Sequence, residues 1–337
     1  MHVGANPDRT LRRHATVTPG AASASYKHPV FDDPVFGRAA PIAITAGRRC
    51  GRPIQFDLAM LLPSLLLLAL FTYWPVLEVL RQSFLVHPFG TSPSISLANY
   101  QHLFADARFL KAVTNTALYA LGTVPPSLAL ALLLALALRD QGWLTALFRT
   151  LVVLPLLVPL VAAAALFAFI FQPGDGLLDH YLARLGLGAT NWLGNPALAL
   201  PSIIALTIWK NTGYYMLFFL AGLAAIPSEL TDAARLEGAN AWQRLRYVLL
   251  PLLGPTLGFV GVIAAVNVLV QVDHVLVMTG GGPSDSTNLL LSYIYQEAQQ
   301  NLDIGAASAA TILSVAALFL LAAGSVRALE RGVHYES

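Results

Sequence analysis

Residues 232–251 read Asp-Ala-Ala-Arg-Leu-Glu-Gly-Ala-Asn-Ala-Trp-Gln-Arg-Leu-Arg-Tyr-Val-Leu-Leu-Pro, a charged island between two apolar runs at about 200–223 and 254–278. A helix needs roughly 20 mainly apolar residues to cross the hydrocarbon core of a bilayer, and each run meets that length. The island is therefore a connection between two membrane spans. Its pattern, a helix, a glycine and a second helix, suits a docking surface better than a reaction centre.

Four more runs of the same kind appear outward from it, at about 58–80, 113–138, 148–171 and 305–327. All six are too long and too rich in Leu, Ala and Val for barrel strands. The composition agrees: 56% of the 337 residues are hydrophobic and 11% are charged, against about 25% charged in soluble domains. The expected fold is an all-α polytopic membrane protein with six transmembrane helices.

Lys and Arg accumulate on cytoplasmic flanks. Alternate connections, the N-terminal segment and the C-terminal tail carry fifteen of them, the opposite connections four (Arg81, Arg108, Lys111 and Arg184), and Lys210 lies inside a span. Both termini and the 226–253 loop are thus expected in the cytoplasm of a prokaryotic cell, the chain being multi-pass in its inner or plasma membrane. The net charge of +2 follows from this topology and suggests no nucleic acid. Residues 1–52, rich in Ala, Pro, Ser and Arg without apolar periodicity, read as a disordered basic leader. Residues 53–330 form the transmembrane domain and 331–337 a short tail. The single Cys50 excludes an internal disulfide and a cysteine metal cluster. No metal or cofactor is expected.

Within the loop, Ser228 is placed to cap the first helix, with Glu229 and Asp232 in its first turn, where the helix dipole favours negative charge. Ala233 and Ala234 offer a small, flat face. Gly238 permits a left-handed backbone or a close approach. A second helix follows over roughly 240–250, and Pro251 turns the chain into the fifth span. Prolines inside the spans, Pro125-Pro126 and Pro155 with Pro159, predict bundle curvature. The segment Asn288 to Asn301 is expected as a short amphipathic helix on the outer surface.

Asp232-Ala233-Ala234, three residues, Gly238-Ala239 and then Leu250-Pro251 resemble the coupling loop of permease subunits of ATP-binding-cassette importers, with Asp232 where Glu is usual. Phe71-Thr72-Tyr73-Trp74-Pro75, Asn115-Thr116, Trp209-Lys210, and Asp273 followed by Thr279-Gly280-Gly281-Gly282-Pro283 are similar to the carbohydrate-uptake branch. Phe171-Gln172-Pro173-Gly174-Asp175-Gly176 and Gly305-Ala306-Ala307-Ser308-Ala309-Ala310 are most similar to permeases for glycerol-3-phosphate or oligosaccharides. The resemblance covers about residues 55–330. It implies a type I importer permease fold and alternating access. It also implies three kinds of partner in the lipid bilayer assembly: a second related permease, two ATPase subunits and an extracytoplasmic solute-binding protein. The coupling residues it implies are Asp232, Ala233, Ala234, Glu237, Gly238, Ala239 and Pro251, contacting an ATPase.

Enzymatic chemistry has little support. A phosphate-binding loop needs Gly-Lys before Ser or Thr, and the three lysines follow Tyr26, Leu110 and Trp209. Polar side chains inside spans usually face a bundle interior or a water-filled path. In the fifth span Asn267, Gln271 and His274 fall at i, i+4 and i+7, on one helical face, and Asn211 lies beside Tyr214 and Tyr215 in the fourth. These six are candidates for a sugar pathway; the competing role is hydrogen bonding across helices. Lys210 has a possible partner in Asp273. The alternative function is a stand-alone ion-coupled secondary transporter, and against it Glu78 and Asp273 are the acids that approach span interiors, both near span ends.

Overall fold

The computed structural model describes residues 54–86, 94–186 and 188–332. The leader, Cys50 and the last five residues lie outside the described residues. Contacts divide the chain into two units, 1–62 and 63–337, of which the first contributes only the opening turns of one helix to the described part.

That helix is α1 (Ile54–Leu68), which passes through a π turn (Ala69–Tyr73) into α2 (Trp74–Ser83). A two-residue hairpin follows, β1 (Leu85–Val86) pairing antiparallel with β2 (Ser94–Ile95), Leu85 opposite Ile95. Next come α3 (Ala98–Ala105), α4 (Ala107–Ala137), α5 (Trp143–Leu157), α6 (Leu160–Ile170), α7 (Leu177–Arg184) and α8 (Pro196–Ala224). The 226–253 region holds α9 (Ser228–Leu236), α10 (Ala241–Arg244), a second π turn (Leu245–Leu249) and α11 (Leu250–Leu252). The chain closes with α12 (Gly254–Val270), α13 (Asp273–Met278), α14 (Leu290–Gln299) and α15 (Ile304–Gly332).

Three helices are individually long and apolar enough to span a membrane: Leu61–Ser83, Ala107–Ala137 and Ile304–Gly324. Among the described residues, three bent helix pairs bring the number to as many as six if each pair is one span. Among the starts that fall earlier than the apolar runs, two are fixed by polar side chains. Asp106 accepts the Arg108 N–H at 2.8 Å and starts α4, and Asn195 accepts the Ala197 N–H at 2.9 Å before Pro196 and starts α8. Proline belongs in such a first turn because its missing N–H would have no partner there.

The third span, expected as one helix over 148–171, is broken instead. α5 and α6 meet at 99°. Pro159 has no N–H to give to Pro155, and the residue before it is driven out of the α region; Val158 accordingly sits at φ −76°, ψ 127°. Pro125-Pro126, by contrast, lie inside the uninterrupted α4. The fifth span is also broken: α12 stops at Val270, Gln271 is extended at φ −87°, ψ 119°, and α13 restarts at Asp273. Both π turns come directly before a proline, Pro75 and Pro251. Trp74 N–H bonds to Ala69 O and Leu250 N–H to Leu245 O, a widened turn that eases the proline ring past the carbonyl four residues back.

α8 is the central helix. It packs along α4 and against α5 and α12. Gly213 meets the Val152 backbone of α5, and Gly122 of α4 faces Ile204. Small residues let the helices approach this closely, as membrane bundles require. One core gathers Tyr119, Ile203 and Leu206 with Ala163, Ala164 and Val275; another gathers Tyr215, Met216 and Phe219 with Val260 and Ala264. A third joins Leu103, Phe109 and Tyr293 to Ala306, Ala309 and Ala310. The helix expected within 288–301 is α14, whose face carrying Ser292, Tyr293, Gln296 and Glu297 is buried against α15 and α4, while Tyr295 and Gln299 are exposed.

Candidate functional site

The loop helix α9 starts one residue away from the expected place. Pro227 occupies the cap position and provides no side-chain bond; Ser228 is the first helical residue, its carbonyl accepting from Thr231 Oγ1 at 2.8 Å. Glu229 is the acid of the first turn, and Asp232 lies beyond it, paired with Arg235 at 3.3 Å. Both partners are exposed, so this pair contributes little to stability.

The end of α9 is fully bonded. Glu237 closes the helix and Gly238 takes φ +82°, with Gly238 N–H bonded to Arg235 O and Ala239 N–H to Ala234 O, each at 3.0 Å. This is a Schellman termination, which favours glycine because a Cβ is penalised at positive φ. Asn240 then caps α10 reciprocally: its side chain accepts Gln243 N–H at 2.8 Å and its own N–H goes to Gln243 Oε1 at 2.8 Å. The Asn-x-x-Gln spacing is the sequence signal for such a box, and it passed unread. Between the two helices lies a surface concavity of about 360 Å³ lined by Ala234, Glu237, Gly238, Ala239, Gln243 and Tyr247, among others. Leu236, Trp242 and Tyr247 project beside it at 90%, 63% and 70% exposure. These large side chains were also missed, although an exposed apolar residue in a charged island is itself a signal. Ala233 and Pro251 are exposed.

The intramembrane candidates separate into two groups. Asn211, Tyr215 and His274 are buried, whereas Tyr214, Asn267 and Gln271 are half-buried. The break at Gln271 removes the continuous helix on which a shared face for Asn267, Gln271 and His274 depended. Turned inward, His274 Nε2 and Thr207 Oγ1 each lie 2.8 Å from the Tyr119 hydroxyl. The Asn267 side chain reaches the Tyr215 hydroxyl, and Tyr214 packs edge-on against Phe218, centroids 5.0 Å apart. Asn211 Nδ2, His274 Nδ1, Thr123 Oγ1 and Ser127 Oγ are buried without a partner among the described residues. Lys210 does not use Asp273, which is exposed; its ammonium donates to Val158 O at 2.6 Å and Pro155 O at 3.2 Å.

On the loop side of the fold after α6, Asp179 organises 174–192. It accepts from Gly174 N–H at 2.8 Å, Thr190 N–H at 3.0 Å and Trp192 Nε1–H at 2.8 Å. These bonds hold its carboxyl below the ordinary carboxylate range, the Gly174 amide first, then the Trp192 indole.

Comparison with known proteins fits this architecture. The family model described as binding-protein-dependent transport system inner membrane component matches residues 127–335. The sn-glycerol-3-phosphate transport system permease protein UgpA of Agrobacterium fabrum is 33% identical over 281 residues, covering 81% of this chain and 94% of that one. A probable ABC transporter permease protein of Pyrococcus horikoshii is 35% identical over 276 residues, covering 80% and 94%. In fold, the chain is similar to one from a bacterial ABC transporter involved in import of the acidic polysaccharide alginate, with a TM-score of 0.74, 24% identity and coverage of 82% of this chain and 96% of that one. With most of its length matched by such relatives, the chain belongs to the binding-protein-dependent transport system inner membrane component family, as a multi-pass permease subunit of an ABC importer.

Proposed function

We propose that this permease forms half of the pathway for a carbohydrate or for glycerol-3-phosphate and takes its driving force from a partner ATPase docked on the 226–253 loop. The full assembly comprises a second related permease, two ATPase subunits and an extracytoplasmic solute-binding protein; ATP hydrolysis belongs to the ATPases. The observation that carries the docking role is the junction at 237–240, where the two bonds of the Schellman end and the reciprocal Asn240–Gln243 pair fix an exposed concavity with apolar side chains beside it. A surface built this rigidly and left uncovered by the described residues is suited to receive another protein. Substrate class is supported by the glycerol-3-phosphate permeases among the relatives. Half-buried Tyr214, Asn267 and Gln271 are the pathway side chains this chain offers to its partner permease. Asn211, Tyr215 and His274 support them from behind.

The test is cysteine labelling in a Cys50→Ala background. A cysteine at Asn240 should resist an impermeant thiol reagent in intact cells, and one at Leu185 should react. A cysteine at Ala233 should crosslink to the co-expressed ATPase. Labelling of Asn240 from outside, with Leu185 protected, would place the loop on the wrong face for an ATPase.

A further inference from the structure

Broken spans leave carbonyls inside a membrane with no water to bond to, and each such group is costly. At the break in the third span, Pro155 O has lost its normal donor, because the residue four along is Pro159, and it accepts instead from the Val158 N–H at 3.2 Å. Val158 O belongs to neither helix. One ammonium serves both: Lys210 Nζ lies 3.2 Å from Pro155 O and 2.6 Å from Val158 O. It also sits at the C-terminal end of α5, where the helix dipole favours a cation. This explains how a lone lysine is buried in a span without an acid beside it.

The neighbouring turns of α8 hold the two halves separately. Gly213 lies against the Val152 backbone of α5, and the Trp209 ring packs on Phe167 of α6 with centroids 5.1 Å apart. α6 in turn packs along α13, Ala163, Ala164 and Phe171 sharing a core with Val275 and Met278. α13 begins just beyond the break at Gln271, and one turn before Lys210 on α8, Thr207 reaches His274 of α13 through Tyr119. A single stretch of α8, residues 207–213, therefore meets both broken spans.

We propose that Lys210 is a positioning residue: it fixes the bend between α5 and α6, and through α6 the placement of α13 and of the Gln271 break beside it. Its consequence for transport rests on Gln271 lining the pathway, whereas its effect on the bend does not. The long, flexible lysine stem lets one donor group follow two carbonyls through small changes in angle, which a backbone amide cannot do.

The experiment reads the bend directly, on the full chain in lipid nanodiscs in a Cys50→Ala background. Spin labels at Leu151 on α5 and Phe169 on α6, both exposed, report the distance across the break. A second pair, Leu151 with Leu217 on α8, reports the α5–α8 contact. Lys210→Met should widen the first distance distribution at least twofold and leave the second unchanged, and Lys210→Arg, which keeps charged donors, should restore the narrow distribution. If Lys210→Met is not recovered from membranes, Lys210→Gln is read on the same pairs; its amide is one bond too short to serve both carbonyls, so the same selective widening is expected. Unchanged width across the break, or equal widening of both pairs, would overturn the proposal.

Discussion

Gly238 offers the sharpest test of the loop, because its surroundings separate two effects that a substitution normally mixes. Its φ of +82° means that any ordinary side chain there strains the backbone, by roughly 1–2 kcal/mol. That cost is about a 5- to 30-fold loss in the population of the bonded junction. A Cβ on Gly238 meets nothing within 4 Å in this chain. Ala and Leu should therefore carry nearly the same backbone cost in the free permease, and Asn, which tolerates the left-handed region, a smaller one. Where exchange at the junction is the same in the Ala and Leu variants, a difference between them in retained ATPase reports a bound partner. Co-purification of the ATPase with each variant is the assay, with hydrogen exchange at the Gly238 and Ala239 amides reporting the junction itself. The expected order of retained ATPase is Gly, then Asn, then Ala, with Leu far below Ala. Equal retention by Ala and Leu would show that no protein surface approaches this position, and the docking argument would fail.

Two other consequences are open to measurement. Asp179 has a lowered folded pKa, so the stability it contributes is fully present above the ordinary carboxylate value of about 3.9 and is lost as pH falls through the depressed folded value; exchange at the Gly174 and Thr190 amides should accelerate in strongly acidic buffer, and Asp179→Asn should produce that acceleration at neutral pH. A Cβ on Gly213 would collide with the Val152 carbonyl oxygen and lie 2.9 Å from its carbon, so Gly213→Ala should lower the thermal midpoint of the detergent-solubilised chain through an overpacking cost of about 1–3 kcal/mol, while Gly261→Ala, where the added carbon meets nothing within 4 Å, should leave it unchanged.

The long apolar helices were legible because apolar length is a direct requirement of the bilayer, and the paired helices of the loop were legible because charge between two apolar runs has few explanations. The two breaks were not, since a broken span and a straight one have the same composition. Pro159 carried a signal for the first, indistinguishable in sequence from Pro125-Pro126, which α4 absorbs. Val270-Gln271-Val272-Asp273 holds neither Pro nor Gly, and α13 beyond the break packs on α6, a long-range contact that the local sequence does not announce. For that reason a helical wheel grouped His274 with Asn267 and Gln271, and the fold turned it toward Tyr119. Ser228 failed as a cap for a smaller reason: Pro227 can itself begin a helix, and the pair Pro-Ser leaves the starting residue ambiguous by one.

The junction at 237–240 also bears on how work could pass through this protein. A hinge made of loose loop absorbs displacement by changing its own shape, and the motion dies within a few residues. Here the elbow between α9 and α10 has little slack, because the Gly238, Ala239, Asn240 and Gln243 amides are all committed. A push on α9 would then be passed to the helix running toward Pro251, which meets α12 at a bend of 69°. The stiffness of four short hydrogen bonds would decide how far a movement at the tip is felt along the fifth span.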